Sequence, residues 1–443
     1  MSQTKHLTNT NFLGHPKGLF ILSLTEMWER FSFYGMRAIL VLFLVDRAKG
    51  GLGWEAANAL ELYGIYTMAV YVLGIPGGFI ADRYIGRKAA VLWGGILACI
   101  GHFLLAMQNE ILFMVGLFFI ASGTGLLKPN ISTLIGDLYA VGDQRRDSGF
   151  TIFYMGINLG GLLSSLAVGY VGQVHGWHYG FGLAGVCMLF GIVIFLAGQR
   201  YLAGVGVTTK ADLKKTAVKT SIDKTPFTKE EKDRIWALVI SFIAIFTFFM
   251  AFEQAGGLMN LYAENYTNRY ILGWEVPASM FQAVNPIFIV LLGPIVEFIW
   301  LKIASRYTIS SFYKLGIGNV MVGVGFLFMV GAALQRQIPG IEKASLHWLI
   351  NAYLFHTIGE LCLSPVSLSF VTKLAPQRIG ASIMGIYFAA IGFSQYLAAW
   401  IGKQSENMGD LAVFQLIFWI CVIVGLPFII FNKKLMKLIH GAE

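Results

Sequence analysis

Residues 210–224 read KADLKKTAVKTSIDK and residues 229–234 read KEEKDR. They lie within 201–234, the only long polar stretch in a chain otherwise filled by apolar runs. A helix crosses a bilayer core with about 20 predominantly apolar residues. The stretch has no such run, so it divides the chain. On its N-terminal side apolar runs occupy 18–45, 59–81, 88–108, 111–136, 149–171 and 179–200. On its C-terminal side they occupy 235–263, 278–301, 309–335, 346–373, 379–402 and 411–431. The expected fold class is an all-α polytopic membrane protein of about twelve transmembrane helices. One six-helix bundle falls in 1–200, a cytoplasmic linker in 201–234 and a second six-helix bundle in 235–443.

Composition points the same way. Hydrophobic residues make up 56% of the 443 positions and charged residues 13%, whereas soluble domains carry about 25% charge. A net charge of +9 would suit a nucleic-acid surface, but the placement of the charges argues against one. The loops alternate. One set comprises DRYIGRK (82–88), DQRRD (143–147), the stretch 200–234, KIASRY (302–307), KLAPQR (373–378) and NKKLMK (432–437). With Lys5, Lys17 and Lys314 it holds 24 of the 33 Lys and Arg residues. The other set, Arg47, Lys49, Arg269, Arg336, Lys343 and Lys403, holds 6. The positive-inside rule then puts both termini in the cytoplasm of a multi-pass plasma (inner) membrane protein. The basic balance reports contact with anionic membrane lipid, not nucleic acid. Cys99, Cys187, Cys362 and Cys421 lie in apolar runs without metal-ligand spacing and read as reduced core residues. The run from Gly18 to Val45 is too long and too charged for a cleavable signal peptide.

Function is most legible where charge sits inside a span. Span one contains Glu26, Glu29, Arg30 and Arg37. An ionised side chain at the bilayer centre costs roughly 2.5–3.5 kcal/mol on insertion scales, so four facing lipid would cost on the order of 10 kcal/mol. At roughly 100° per residue, these four, with Phe33 and Tyr34, share one face about 140° wide. Glu26 and Arg30 are also in the favourable i, i+4 order. Such a stripe is either an ion-pair ladder between packed helices or the lining of a watery cavity. Lys128 precedes Pro129 on span four, and Glu253 and Glu360 lie on spans seven and ten with no basic residue nearby in sequence. A buried carboxylate of this kind takes up a proton more readily than an exposed one, as a proton-coupled carrier requires. His356 is one helical turn before Glu360 and reads either as a modulator of proton binding or as a packing residue. His175 and His178 share an outer loop without a third ligand, so no metal is expected.

The loop GGFIADRYIGRK (77–88) and its degraded counterpart GPIVEFIWLKIASR (293–306) follow the second span of each half. Two such repeats resemble the major facilitator superfamily, and the resemblance implies that Asp82, Arg83, Arg87 and Lys88 form a conformational latch at the cytoplasmic face. Within it, EMWERFSFYGMR (26–37), KPNIS (128–132), FYMGINLGGLL (153–163), FEQAGG (252–257), FQAVNPIFI (281–289) and GELCLSPV (359–366) resemble the proton-dependent oligopeptide transporter (POT) family. That likeness implies import of di- and tripeptides with protons, with no cofactor beyond the coupling ion. It makes Glu26, Glu29, Arg30, Arg37 and Glu253 the coupling residues, with Glu253 exchanging an ion pair with Arg37. Arg30 and Lys128 would hold the peptide carboxylate, and Glu360 with Asn158 and Asn285 its ammonium end. Tyr34 and Tyr71 would line the pocket.

Three departures from the family pattern are visible. Phe33 stands where the first of two tyrosines is common, Tyr387 lacks a nearby tryptophan, and 201–234 is too polar to form the extra helical pair of many bacterial relatives. The alternative within the same fold is a facilitator antiporter or exporter of another small metabolite or drug. An enzyme would need a nucleophile–base pair or metal ligands, and a receptor a soluble signalling domain. The chain supplies neither, and a monomer is expected.

Overall fold

The computed structural model describes residues 11–140, 143–206, 226–307, 309–376 and 379–441. The middle of the expected linker (207–225) and, among the basic residues used for orientation, Lys5 and Arg378 lie outside the described residues.

Twelve long helices carry the described chain. They are α1 Lys17–Val45, α2 Ala56–Val72, α3 Arg87–Leu105, α4 Glu110–Asp137, α5 Arg145–Tyr170, α6 Trp177–Ala197, α7 Lys229–Phe252, α8 Val284–Ala304, α9 Ser311–Gln335, α10 Leu346–Leu374, α11 Gly380–Lys403 and α12 Asp410–Ile430. Two are interrupted. After α2 the chain continues through Gly74–Ile80 and a π-turn at Ala81–Ile85, and after α7 through a 3-10 turn at Glu253–Ala255 into Leu258–Tyr266. Eleven of the twelve are long and apolar enough to cross a membrane. The other, α1, is 29 residues long but carries the four charges in its interior.

Counted with these continuations, and with the 3-10 turn Ala278–Ala283 that leads into α8, the helices fall within about six residues of the apolar runs, and the discrepancy at the start of α7 has a local cause. α7 begins at Lys229, not 235, because Thr228 and Glu231 form a reciprocal cap: the Glu231 N–H donates to Thr228 Oγ1 at 3.2 Å and the Thr228 N–H to Glu231 Oε2 at 2.9 Å. Capping starts a helix in water that an apolar scan passes over. At the far end of α1, Asp46 turns extended (ψ 130°). Its carboxylate accepts from the Trp177 indole at 2.8 Å and from the backbone N–H groups of Ala48, Lys49 and Gly51. Partial burial opposes ionisation there, but these donors outweigh it and hold Asp46 below the usual carboxylate range.

The chain forms two compact units: Met1–Gly53 with Ala69–Ser221, and Trp54–Met68 with Ile222–Glu443. In the first, α1 packs on α5 and α6, α3 on α4 and α6, and the Gly74–Ile80 segment on α4. In the second, α7 packs on α11 and α12, α9 on α10 and α12, and α8 on α10. The pairings correspond helix for helix, which is the repeat suggested by the two loop sequences. The third–fourth helix contact uses the same device twice. A Cβ on Gly123 would lie 2.5 Å from the Gly94 carbonyl oxygen, and one on Gly359 would lie 2.7 Å from that of Gly318. Both crossings therefore need a residue without a side chain. The strands among the described residues form three two-residue ribbons outside the bundles. The four cysteines are buried and free.

Candidate functional site

In the first unit the site is built on α1. Glu26, Glu29 and Arg30 are each no more than 2% exposed. Buried charge is tolerated only when paired and hydrogen-bonded, and the stripe is arranged to do both. Arg30 Nη2 donates to Glu29 Oε1 at 2.7 Å, and its Nε contacts both Glu29 and Glu26, the latter at 3.2 Å. Thr124 of α4 donates to Glu29 Oε1 at 3.3 Å. One guanidinium thus serves two carboxylates, and Glu26 Oε2 is buried with no hydrogen-bond partner among the described residues. Within this trio the formal charge is one negative in excess.

Above the trio the aromatic residues of α1 organise the cations. The Arg30 guanidinium lies 5.0 Å from the Phe33 ring centroid and 5.7 Å from that of Tyr34, and Arg37 lies 5.1 Å from Tyr34. Phe33 is buried, so it acts as a platform under Arg30 and offers no surface to a pocket. Lys128 sits where Pro129 interrupts the amide ladder of α4. Its Nζ stands 4.4 Å over the ring of Tyr71, one residue before the end of α2. Asn158, on α5, donates to the Tyr154 carbonyl at 2.9 Å.

The expected latch is also in this unit. The π-turn at Ala81–Ile85 and Gly86, at φ 80°, fold Asp82 back onto Arg87. Arg87 bridges Asp82 at 3.1 Å and Asp137 at 2.9 Å, Lys88 donates to the Leu202 carbonyl, and Arg83 lies over Phe79 at 5.7 Å. In the second repeat Glu297 and Lys302 keep the five-residue spacing, but α8 runs unbroken through them. Five residues of continuous helix are about 140° apart, so that pair does not close. The repeat is degraded because the turn is missing.

In the second unit Glu253 occupies the 3-10 break of α7. It accepts from the Tyr63 hydroxyl and, with the Gln395 amide turned so that nitrogen faces the acid, from Gln395 at 2.7 and 3.2 Å. The FEQAGG sequence has a local reason here: a Cβ on Gly256 would collide with the Tyr63 hydroxyl. Gln254 is buried and donates to the Ala398 carbonyl at 2.7 Å, tying the break to α11. Asn285, in the first turn of α8, donates to Glu360 Oε2 at 2.8 Å and to Thr357 Oγ1 at 3.1 Å. Both N–H groups of the amide are committed, which leaves its carbonyl oxygen as an acceptor. His356 is buried at the α9–α10 crossing, 4.9 Å from the Phe326 ring. Tyr387 is buried and bonds Ser367 at 3.1 Å.

The expected residues thus fall into four clusters: Glu26–Glu29–Arg30, Lys128–Tyr71 and the latch in the first unit, and Asn285–Glu360 in the second. Arg37 belongs to the first unit and Glu253 to the second. Thr124, Thr357 and Asp137 complete these clusters, and Tyr63 and Gln395 hold Glu253; none of the five was anticipated.

The sequence model of the POT family matches residues 88–220 and 205–420. The chain belongs to the POT family. It is 36% identical to the uncharacterized transporter YclF of Bacillus subtilis, over 99% of this chain and 98% of that one. It is 34% identical to the peptide transporter YePEPT of Yersinia enterocolitica, over 98% and 99%. Among solved structures, a mutant of the peptide transporter POT in complex with sulfate superposes with a TM-score of 0.89 at 35% identity, covering 97% of this chain and 96% of that one. This POT family member is a multi-pass membrane transporter, not an enzyme. The alignment with YePEPT spans 505 positions against 443 residues here, so the relative carries residues that this chain lacks. The family match breaks in two at 205–220, within the polar stretch that divides the spans.

Proposed function

We propose that this POT family member is a proton-coupled symporter that imports di- and tripeptides by alternating access across the inner membrane, with both termini in the cytoplasm. The observation that carries the reading is the buried trio on α1, in which one guanidinium is shared by two carboxylates. Protonation of one acid neutralises the trio and frees part of the Arg30 fork for another carboxylate. A peptide carboxylate is the natural replacement, and Lys128 adds a second positive charge for it. Proton uptake and substrate binding are then linked through one side chain.

The other end of the peptide falls to Glu360, with Asn285 and Asn158 serving the ammonium and adjacent amide. An extended dipeptide places its charged ends about 6–7 Å apart and a tripeptide about 10 Å, at ~3.3–3.6 Å per residue. A site that reads only the two ends accepts many side chains, and Tyr34 and Tyr71 provide amphipathic walls for them. Glu253, held by the neutral donors Tyr63 and Gln395, is the second proton site. Asp82, Arg83, Arg87 and Lys88 latch the cytoplasmic side, working as a monomer. Each proton entering down a 100 mV potential contributes about 2.3 kcal/mol.

Competition in counterflow tests the substrate class. Excess unlabelled dialanine is expected to suppress exchange of labelled dialanine at least tenfold, and equimolar free alanine to leave it nearly unchanged. Equal inhibition by free alanine, or none by dialanine, would favour an antiporter or exporter of another metabolite.

A further inference from the structure

Among the described residues three non-glycine residues have positive φ, and two of them are leucines at hairpin tips: Leu13 and Leu272. Leu272, at φ 51°, is followed by Gly273 at φ 82°. Two successive residues in this region make the tight turn that joins Tyr270–Ile271 to Trp274–Glu275, paired antiparallel. Asn or Asp normally fills the first position, because a branched aliphatic side chain is strained there. The strain displays an apolar tip. Leu272 is 104% exposed, Tyr270 61%, Trp274 48% and Ile271 44%.

The hairpin beneath the tip is rigidly held and its charges are internally matched. Arg269, only 7% exposed, bridges Glu264 at 3.2 Å and Glu275 at 3.1 Å and donates to the Val276 carbonyl at 2.7 Å. Thr267–Asn268 pairs in parallel with Ala344–Ser345 at the start of α10. The tip itself, Tyr-Ile-Leu-Gly-Trp, carries no charge. The hairpin leaves the end of one membrane span, Tyr266, and runs into the next, Ala278–Ala304. That following span is the least enclosed of the eleven apolar spans among the described residues, with 6% of its apolar window buried against 33% or more for the other ten. The tip therefore leads directly into an exposed apolar span. From Tyr266, four residues reach at most roughly 14 Å, enough to cross an interfacial layer about 5–8 Å thick. Trp and Tyr are the side chains that settle in this layer.

We propose that the 270–275 hairpin is a membrane-interface anchor that inserts Leu272, with Ile271 and Trp274, at the headgroup–acyl boundary of the leaflet opposite the termini. It steadies the α7–α8 connection against lipid, and it does not depend on the identity of the transported solute. Leu13 tips a similar ribbon, but the Gly14 carbonyl there accepts from Arg145 at 3.0 Å, which ties that ribbon to polar loops. It has no part in the proposal.

The test is a nitroxide label on Leu272→Cys in the full-length protein, reconstituted in palmitoyl-oleoyl phosphatidylcholine vesicles. Lys343→Cys, exposed in the α9–α10 loop on the same face, is the aqueous reference. Power saturation is expected to show the Leu272 label at least threefold more accessible to oxygen, relative to a water-soluble nickel chelate, than the Lys343 label. Equal ratios at the two sites would overturn the anchor. So would dipolar broadening or a disulfide dimer through residue 272, which would make a second copy the occupant. Because Leu272 is fully exposed, the variant is expected to keep wild-type thermal stability.

Discussion

Arg30→Ala is expected to abolish transport and destabilise the protein, the largest single-site effect this chain should show. Arg30 is the only basic side chain paired by hydrogen bond or salt bridge with Glu26 and Glu29 among the described residues. Removing one partner of a buried ion pair typically costs 3–5 kcal/mol, because the remaining charge is stranded. Here two carboxylates would be stranded. A fall in the midpoint of thermal unfolding of at least about 5 °C is expected, with uptake at background. Adding Glu29→Gln to Arg30→Ala removes one stranded charge and should recover much of the stability but none of the uptake. Arg30→Lys keeps the charge but cannot reproduce a fork that reaches Glu29 twice and Glu26 once; it should fold and transport poorly. Full uptake by Arg30→Ala would remove α1 from the mechanism.

The second large effect is on peptide binding. Glu360→Gln preserves shape and removes charge, so the ammonium of a bound peptide loses a charge-assisted hydrogen bond worth about 1.5–3 kcal/mol. That corresponds to a dissociation constant raised about 10- to 150-fold. An N-acetylated dipeptide has no ammonium and should bind weakly to the parent protein and no more weakly to the variant. The comparison forms a double cycle between side chain and substrate. A uniform loss for both ligands would mean that Glu360 supports Asn285 and Thr357 structurally and does not read the peptide terminus. Binding isotherms of the two ligands on the two proteins decide this.

The sequence revealed most where it conflicted with its surroundings. Charges within apolar runs marked Glu26, Glu29, Arg30, Lys128, Glu253 and Glu360, because ionised groups in a membrane are costly and must have partners. The helices themselves followed from hydropathy alone, and the polar cap at Thr228 accounts for the start of α7 that it missed. The partners were another matter. Thr124, Tyr63, Gln395 and Thr357 are neutral and sit in apolar helices, where a hydroxyl or amide carries no signal of what it faces. Gly256 was quoted as part of a motif, but its reason appeared only when the Tyr63 hydroxyl was found against it. Phe33 stood out only as a departure from a common tyrosine; its burial beneath Arg30 makes it a support for the guanidinium. The residues of the Asp82–Arg87 bridge were legible as a loop signature, while Asp137, the second carboxylate on Arg87, lies 50 residues away and had no local cue.

The central claim is that peptide entry is driven by protons, and one measurement addresses it directly. The purified protein in liposomes takes up labelled dialanine with and without an inwardly directed proton gradient, at fixed internal volume. The account predicts accumulation above equilibrium only with the gradient, collapsing to equilibration when a protonophore is added. Dialanine that equilibrates at the same rate and to the same level with or without the gradient would contradict proton coupling, and no entry from a folded preparation would contradict peptide transport itself.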